Sequence, residues 1–180
     1  AAPQDAPLTF EDHGIVLDDA ERISHVALPP EVRGIYWTAR TATNYRAQEL
    51  IEYMREYDLN TVVLDAKLDD GTLAFTPHDP ELKPYAEEKP AIPEIDALLK
   101  QLALEDFYRI ARVPIMRDKT LAAVHPEIAL QKKDGGLWHD SAGSVWVDPA
   151  APAATEYALT LARELHSRGF DEIQFDYVRY

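Results

Sequence analysis

The chain has no cysteine. Disulfides, thiol nucleophiles and cysteine-ligated metals are excluded with it, while the redox compartment stays open. Glycine is scarce, at 7 residues, and no glycine-rich loop of the phosphate-cradling type occurs. A G-x-S-x-G is absent too, so neither nucleotide binding nor serine-hydrolase chemistry finds its motif. The histidines, among them His78, His125, His139 and His166, are scattered and form no H-x-x-x-H pair. A zinc site is therefore unsupported, and no metal or other cofactor is expected. No apolar run approaches the length of a membrane span. Positive charge is short as well: 18 Lys and Arg stand against 32 Asp and Glu, a net charge of −14. That field repels phosphate and disfavours nucleic acid and anionic membranes as partners.

What remains is an ordinary globular balance. The 180 residues are 46% hydrophobic and 28% charged, enough for one domain with a real core. The opening AAPQDAP is rich in small residues and proline, like the mature side of a signal cleavage. An extracytoplasmic location, secreted or in the cell envelope, is expected from it. Residues 1–31 read as a lead-in or linker with one apolar patch at 14–17, and residues 32–180 as the folded domain.

Within that domain, RGIYWT (33–38), TVVLDA (61–66), FYRIARVPI (107–115) and DEIQFD (171–176) read as strands. None alternates cleanly between polar and apolar, which fits strands covered on both faces. Between them lie helical patterns. Asn44 can cap a helix reaching about Tyr57, with Leu50, Ile51, Met54 and Tyr57 at helical spacing. Pro93 suits the first turn of a helix over 94–104, and Asp118 can cap a short helical piece. A longer amphipathic helix spans 153–169, with Leu159, Ala162 and Leu165 on one face and Gly169 as its C-cap. TLAF (72–75) reads as a short strand, residues 77–93 as a proline-rich loop, and GGLWHDSAGSVWVDP (135–149) as a hairpin around SAGS.

The order βα, repeated, predicts a parallel α/β sheet with helices outside. An open doubly wound sheet and a (β/α)8 barrel both fit. Long aromatic and acid-bearing segments follow the strand ends, where barrel sites are built, and this favours the barrel. A complete barrel takes roughly 250 residues. Four βα units amount to a half barrel of TIM type, with a β-hairpin insertion after the third strand. Bare strand edges would then be open to self-association.

The candidate chemistry sits at the strand ends. Asp176 closes the fourth strand, where a carboxylate can act as nucleophile, base or ligand, or pair with Arg179 as a solvated strand end. Asp65 and Lys67 end the second strand, as a structural pair or as lining of the same crevice. Arg112, inside an apolar strand, needs a carboxylate, and Asp65 or Asp176 is the natural one. Trp37, Trp138 and Trp146 are the only tryptophans. Their faces suit sugar rings, although at least one is expected in the core, and Tyr36 is read as core. LDDGTL resembles the start of a haloacid-dehalogenase motif, but Leu68 occupies the nucleophile position, which rejects that chemistry.

Taken together, RGIYWTA (33–39), NTVVLDAKLDDGTLAF (60–75), YRIARVPIMRDKTLAAVHPEIAL (108–130), GGLWHDSAGSVWVDP (135–149) and GFDEIQFDYVRY (169–180) resemble one family. It is the "putative glycosyl hydrolase domain" of bacterial envelope and secreted proteins, related to the α-amylase-like (β/α)8 barrels. The resemblance implies the N-terminal part of a glycosidase-like barrel acting on a poly- or oligosaccharide. Asp176 would be the strand-four nucleophile and the acid/base would come from a later strand. Asp65, Lys67, Arg112, Arg179 and Asp148 would contact the carbohydrate substrate together with the three tryptophans. A glycan-binding or envelope-scaffold barrel without turnover is the alternative, and a metal-dependent polysaccharide deacetylase is a more distant one.

Overall fold

The computed structural model describes residues 23–43 and 45–179. The Asn44 cap and the apolar patch at 14–17 lie outside the described residues. Four strands form one sheet in the order β1 (Gly34–Trp37), β2 (Thr61–Asp65), β3 (Tyr108–Pro114), β4 (Glu172–Asp176). Every neighbouring pair is parallel. The helices are α1 (Tyr45–Glu56), α2 (Ile95–Leu104), α3 (Lys119–Val124) and α4 (Pro152–Ser167). The architecture is a partial, open sheet of the (β/α)-barrel type, as the order of elements predicted.

Pairing fixes which side chains share a face. Tyr36 lies opposite Val63, Asp65 opposite Arg112, Arg112 opposite Gln174, and Pro114 opposite Asp176. With a side-chain period of two, Tyr36, Asp65, Arg112 and Asp176 all project from one face. The other face carries Trp37, Val62, Leu64, Ala111 and Val113, all buried. It meets α2 on β3 and α4 on β4.

The helices bury the stripes that 3.6-residue spacing dictates. In α1, Ile51 and Met54 are fully buried, whereas Tyr57, just past the helix, stays exposed with its ring tilted against that of Tyr53. In α4 the buried stripe is Ala154, Tyr157, Leu161 and Leu165. Leu159 lies off that stripe and is exposed, against the sequence expectation. Burying each such Leu or Ile contributes about 1.5–3 kcal/mol. Gly169 follows the Arg168 C-cap with φ +108°, and a Cβ there would meet Ile23 Cβ at 2.8 Å, so both backbone and space require glycine. Pro93 precedes the Glu94 N-cap of α2 instead of standing in its first turn. Asp118 caps α3 as expected, accepting the Leu121 N–H at 2.6 Å.

Long segments follow the C-terminal ends of β2 and β3, and they build one rim. TLAF is not a strand: Leu73 makes single bridges to Lys67 and Ala86. The proline-rich stretch holds a 3-10 turn over Pro80–Tyr85, with Asp79 as its N-cap. After β3, the hairpin exists as isolated antiparallel bridges, Gln131 to Leu137 and His139 to Val145. Two more, Arg117 to Trp146 and Ala129 to Val147, fasten it to the chain leaving β3.

Candidate active site

Arg112 organises the C-terminal ends of the strands. Its place in the middle of β3 leaves its guanidinium between the ends of β2 and β4. Its Nη1 donates to Asp65 Oδ1 at 2.8 Å and its Nε to Asp176 Oδ2 at 2.9 Å. Nη2 adds a second contact to Asp176 at 2.8 Å and reaches Asp69 at 3.6 Å. One cation thus bridges two carboxylates. Tyr36 donates its hydroxyl to Asp65 Oδ2, so the second oxygen of Asp65 is also engaged. The bridge that the sequence left between Asp65 and Asp176 goes to both.

The three groups differ in exposure. The Asp65 and Arg112 side chains are 12% and 15% exposed, while that of Asp176 is 43% exposed. Desolvation pushes the Asp176 carboxyl up, but the Arg112 hydrogen bond, the Tyr177 N–H at 2.7 Å and the charges of Arg112 and Arg179 outweigh it. The acid is held below its ordinary value and is ionised at neutral pH. Burial, followed by the hydrogen bond to Asp65, pushes the Tyr36 phenol up to about 12. For Arg112 burial alone would lower the value, but the bonds to Asp65 and Asp176 raise it. Asp176 is therefore an ionised, half-open carboxylate with its neighbours locked around it. It can attack an electrophilic carbon or hold a hydroxyl, but it cannot deliver a proton.

Tyr177 continues the site. It adopts φ +54°, a left-handed backbone uncommon for an aromatic residue. Its ring stands edge-on to Trp146 at 5.9 Å and lies near Arg117 and Arg112 at 5.0 and 5.9 Å. Its hydroxyl accepts from Arg117 Nη1 at 3.0 Å. Arg179 is exposed and lies 6.0 Å from the same ring.

Several expected site residues stand elsewhere. Trp37 is fully buried on the helix-facing side and offers no face to a sugar. Its neighbour Tyr36, read as core, is the one that reaches the site. Lys67 is also fully buried, paired with Asp118 and seated 4.7 Å over the Tyr157 ring. Desolvation lowers its pKa, with Asp118 opposing. It braces the rim from beneath and does not line the crevice. Gly71 closes over this pair, since a Cβ there would meet Asp118 Oδ1 at 1.8 Å. Trp146 is buried too, its Nε1 donating to Asp140 at 2.9 Å, and only its edge faces Tyr177. Trp138 is 37% exposed on the hairpin. Asp148 accepts from the Ala150 N–H at 2.9 Å and shapes the turn leading into α4. The sequence reading missed Tyr36, Arg117 and Tyr177. The YVRY that follows Asp176 was the available signal for Tyr177, and the loop position directly after β3 was the signal for Arg117.

Among the described residues no group of three or more His, Cys, Asp or Glu is arranged to hold a metal ion. No helix among them is long and apolar enough to cross a membrane.

Residues 34–180 match the family described as "putative glycosyl hydrolase domain". No curated protein matches the chain. Among solved structures, a hypothetical protein from Ruminiclostridium thermocellum is 29% identical, with a TM-score of 0.75 over 81% of this chain and 77% of that one. A chitobiase from Flavobacterium johnsoniae is 13% identical, with a TM-score of 0.59 over 80% of this chain and 23% of that one. A maltogenic α-amylase from Thermotoga neapolitana is 16% identical, with a TM-score of 0.57 over 81% of this chain and 38% of that one. The last two share the fold, and the chain spans well under half the length of either enzyme.

Proposed function

The chain belongs to the "putative glycosyl hydrolase domain" family, and from that premise we propose that it contributes Asp176 as the nucleophile of a glycoside hydrolase acting on an oligo- or polysaccharide. The observation that carries this reading is the ion pair at the tip of β4. Arg112 holds Asp176 ionised while leaving its side chain 43% exposed at the strand end where barrel sites are built. In the proposed step the Asp176 carboxylate attacks the anomeric carbon. The glycosidic C–O bond breaks, and the leaving oxygen takes a proton from a second carboxyl roughly 5 Å away. Water then cleaves the glycosyl–Asp176 ester. Asp65 is no proton donor for this step, because Arg112 and Tyr36 both donate to it. It fixes Arg112, and Arg112 fixes Asp176. The test is Asp176→Asn: hydrolysis of oligosaccharides disappears while the melting transition stays in place. Unchanged turnover would remove Asp176 from the mechanism.

A second reading is a barrel that binds glycan without cleaving it. It is favoured by the same engagement of Asp65, which leaves the acid to be supplied from elsewhere. Calorimetric binding with no product released would select it.

A further inference from the structure

Arg117 is an exception among the arginines. Five arginines among the described residues have reduced exposure: Arg33, Arg109, Arg112, Arg117 and Arg168. Four of them hold a carboxylate within ion-pair distance. Arg117 does not, in a chain where acids outnumber bases 32 to 18. Its Nε donates to Ser144 Oγ at 2.9 Å and its Nη1 to the Tyr177 hydroxyl at 3.0 Å, both neutral partners. The acid close by, Asp140, feels the Arg117 charge but lies beyond ion-pair distance, and its oxygens are already engaged. It accepts from Trp146 Nε1 at 2.9 Å, Ser144 N at 2.8 Å and Ala142 N at 3.0 Å. A part-buried cation normally carries a counter-ion, since partial desolvation is costly without one.

Arg117 lines an open cleft of about 410 Å³ beside the Asp176 site, together with Lys119 and His139. That is within the size range of small-ligand sites. Asp69 and Asp70 also line it. Asp69 is turned to Arg112 at 3.6 Å, and Asp70 accepts from the Thr72 N–H at 3.0 Å. Lys119 is exposed and makes no ion pair among the described residues. Arg117 and Lys119 are the cations of this lining with no carboxylate within ion-pair distance among the described residues. Through Tyr177, which follows Asp176 directly, Arg117 is one residue away from the candidate nucleophile.

We propose that this cleft is a subsite for an acidic sugar, with Arg117 and Lys119 holding the carboxylate of a uronic acid unit adjacent to the bond at Asp176. The inference rests on the glycoside reading of Asp176 and names its substrate class. A planar guanidinium fork suits a carboxylate, and a point charge on Lys119 adds attraction without demanding geometry. The overall charge of −14 opposes a densely charged polymer. Acidic units spaced among neutral sugars satisfy both the cleft and the field.

The test is calorimetric titration with trisaccharides containing one galacturonate, glucuronate or mannuronate, and with the same trisaccharides reduced at the carboxyl to the primary alcohol. At least one uronate form is expected to bind about tenfold or more tightly than its reduced counterpart. Lys119→Gln, at an exposed position, is expected to erase most of that preference while the reduced sugars bind as before, and Arg117→Gln is expected to erase most of it too. Melting curves identify an Arg117 variant that has lost its fold, and Lys119→Gln then decides alone. Equal or tighter binding of the reduced sugars overturns the acidic subsite and leaves the glycoside reading standing. Absence of binding by any sugar overturns both.

Discussion

Two arginines three residues apart on β3 sit at opposite ends of the sheet, and each bonds an aspartate of the β4 region. Arg109 is fully buried. Its Nε and Nη2 clasp Asp171 at 2.9 Å each, and Nη2 also reaches Ser24 O at 2.8 Å. Asp171, with a side chain only 1% exposed, further accepts the N–H groups of Val26 and Arg109 at 2.8 Å. Every strong bond of that pair goes to the protein itself. Arg112 has the same chemistry at the other end, but its partner Asp176 keeps nearly half its surface open. The difference teaches that the ion pair alone does not mark a site. Burial separates the two: the lower pair is closed in by backbone groups and His25, and the upper pair leaves an ionised carboxylate 43% exposed.

Replacing the aspartates separately sharpens the contrast most. Asp171→Ala strands a buried guanidinium and is expected to cost about 3–5 kcal/mol in chemical denaturation. Asp176→Ala, at a part-exposed pair, is expected to cost about 1 kcal/mol or less. Equal losses would break the comparison. The double variant Arg109→Met with Asp171→Leu removes both charges and refills the space. It is expected to recover about 2 kcal/mol or more over Asp171→Ala, because the stranded cation is gone.

Acid titration separates the two ends next. Burial would raise the Asp171 carboxyl, but the bonds from Arg109 and the Val26 N–H outweigh it, so its folded pKa lies below the unfolded one near 3.9. Its contribution is then fully present above about pH 4–5 and is lost as pH falls through the folded value. Thermal melts of the wild type should drop below about pH 5 from this source, beneath an earlier decline that starts near pH 6.5 because burial lowers the His25 value. Asp171→Asn should flatten that drop, and Asp176→Asn should change it much less. A further modest effect is at Tyr36. Tyr36→Phe gives up one hydrogen bond, about 0.5–1.5 kcal/mol, and removes one of the phenols that titrate at about 12 by ultraviolet difference spectra.

The sheet was legible because its signals are local. Apolar runs such as TVVLDA and FYRIARVPI mark strands, and the strand bounds fall within a residue or two of those observed. The Asp65–Arg112–Asp176 cluster was legible from charge need, since an arginine in an apolar strand must find an acid. Trp37 and Tyr36 were exchanged for a non-local reason. Adjacent strand residues face opposite ways, and which one faces the crevice is set by the register of Trp37 on Leu64 and Tyr36 on Val63. Lys67 was placed in the crevice because adjacency to Asp65 hides a turn of the chain. Its true partner, Asp118, is 51 residues away, at the cap of α3. Arg117 and Tyr177 meet only after folding brings the start of the hairpin segment beside the end of β4.

The most direct test is to follow the aspartate side-chain carboxyl ¹³C signals by NMR while neutral and uronate-containing oligosaccharides are added. The account predicts that Asp176 shifts on binding, with Asp65 following through Arg112, while Asp171 stays still. A bound glycan that leaves Asp176 unmoved, or that moves Asp171 instead, would contradict it.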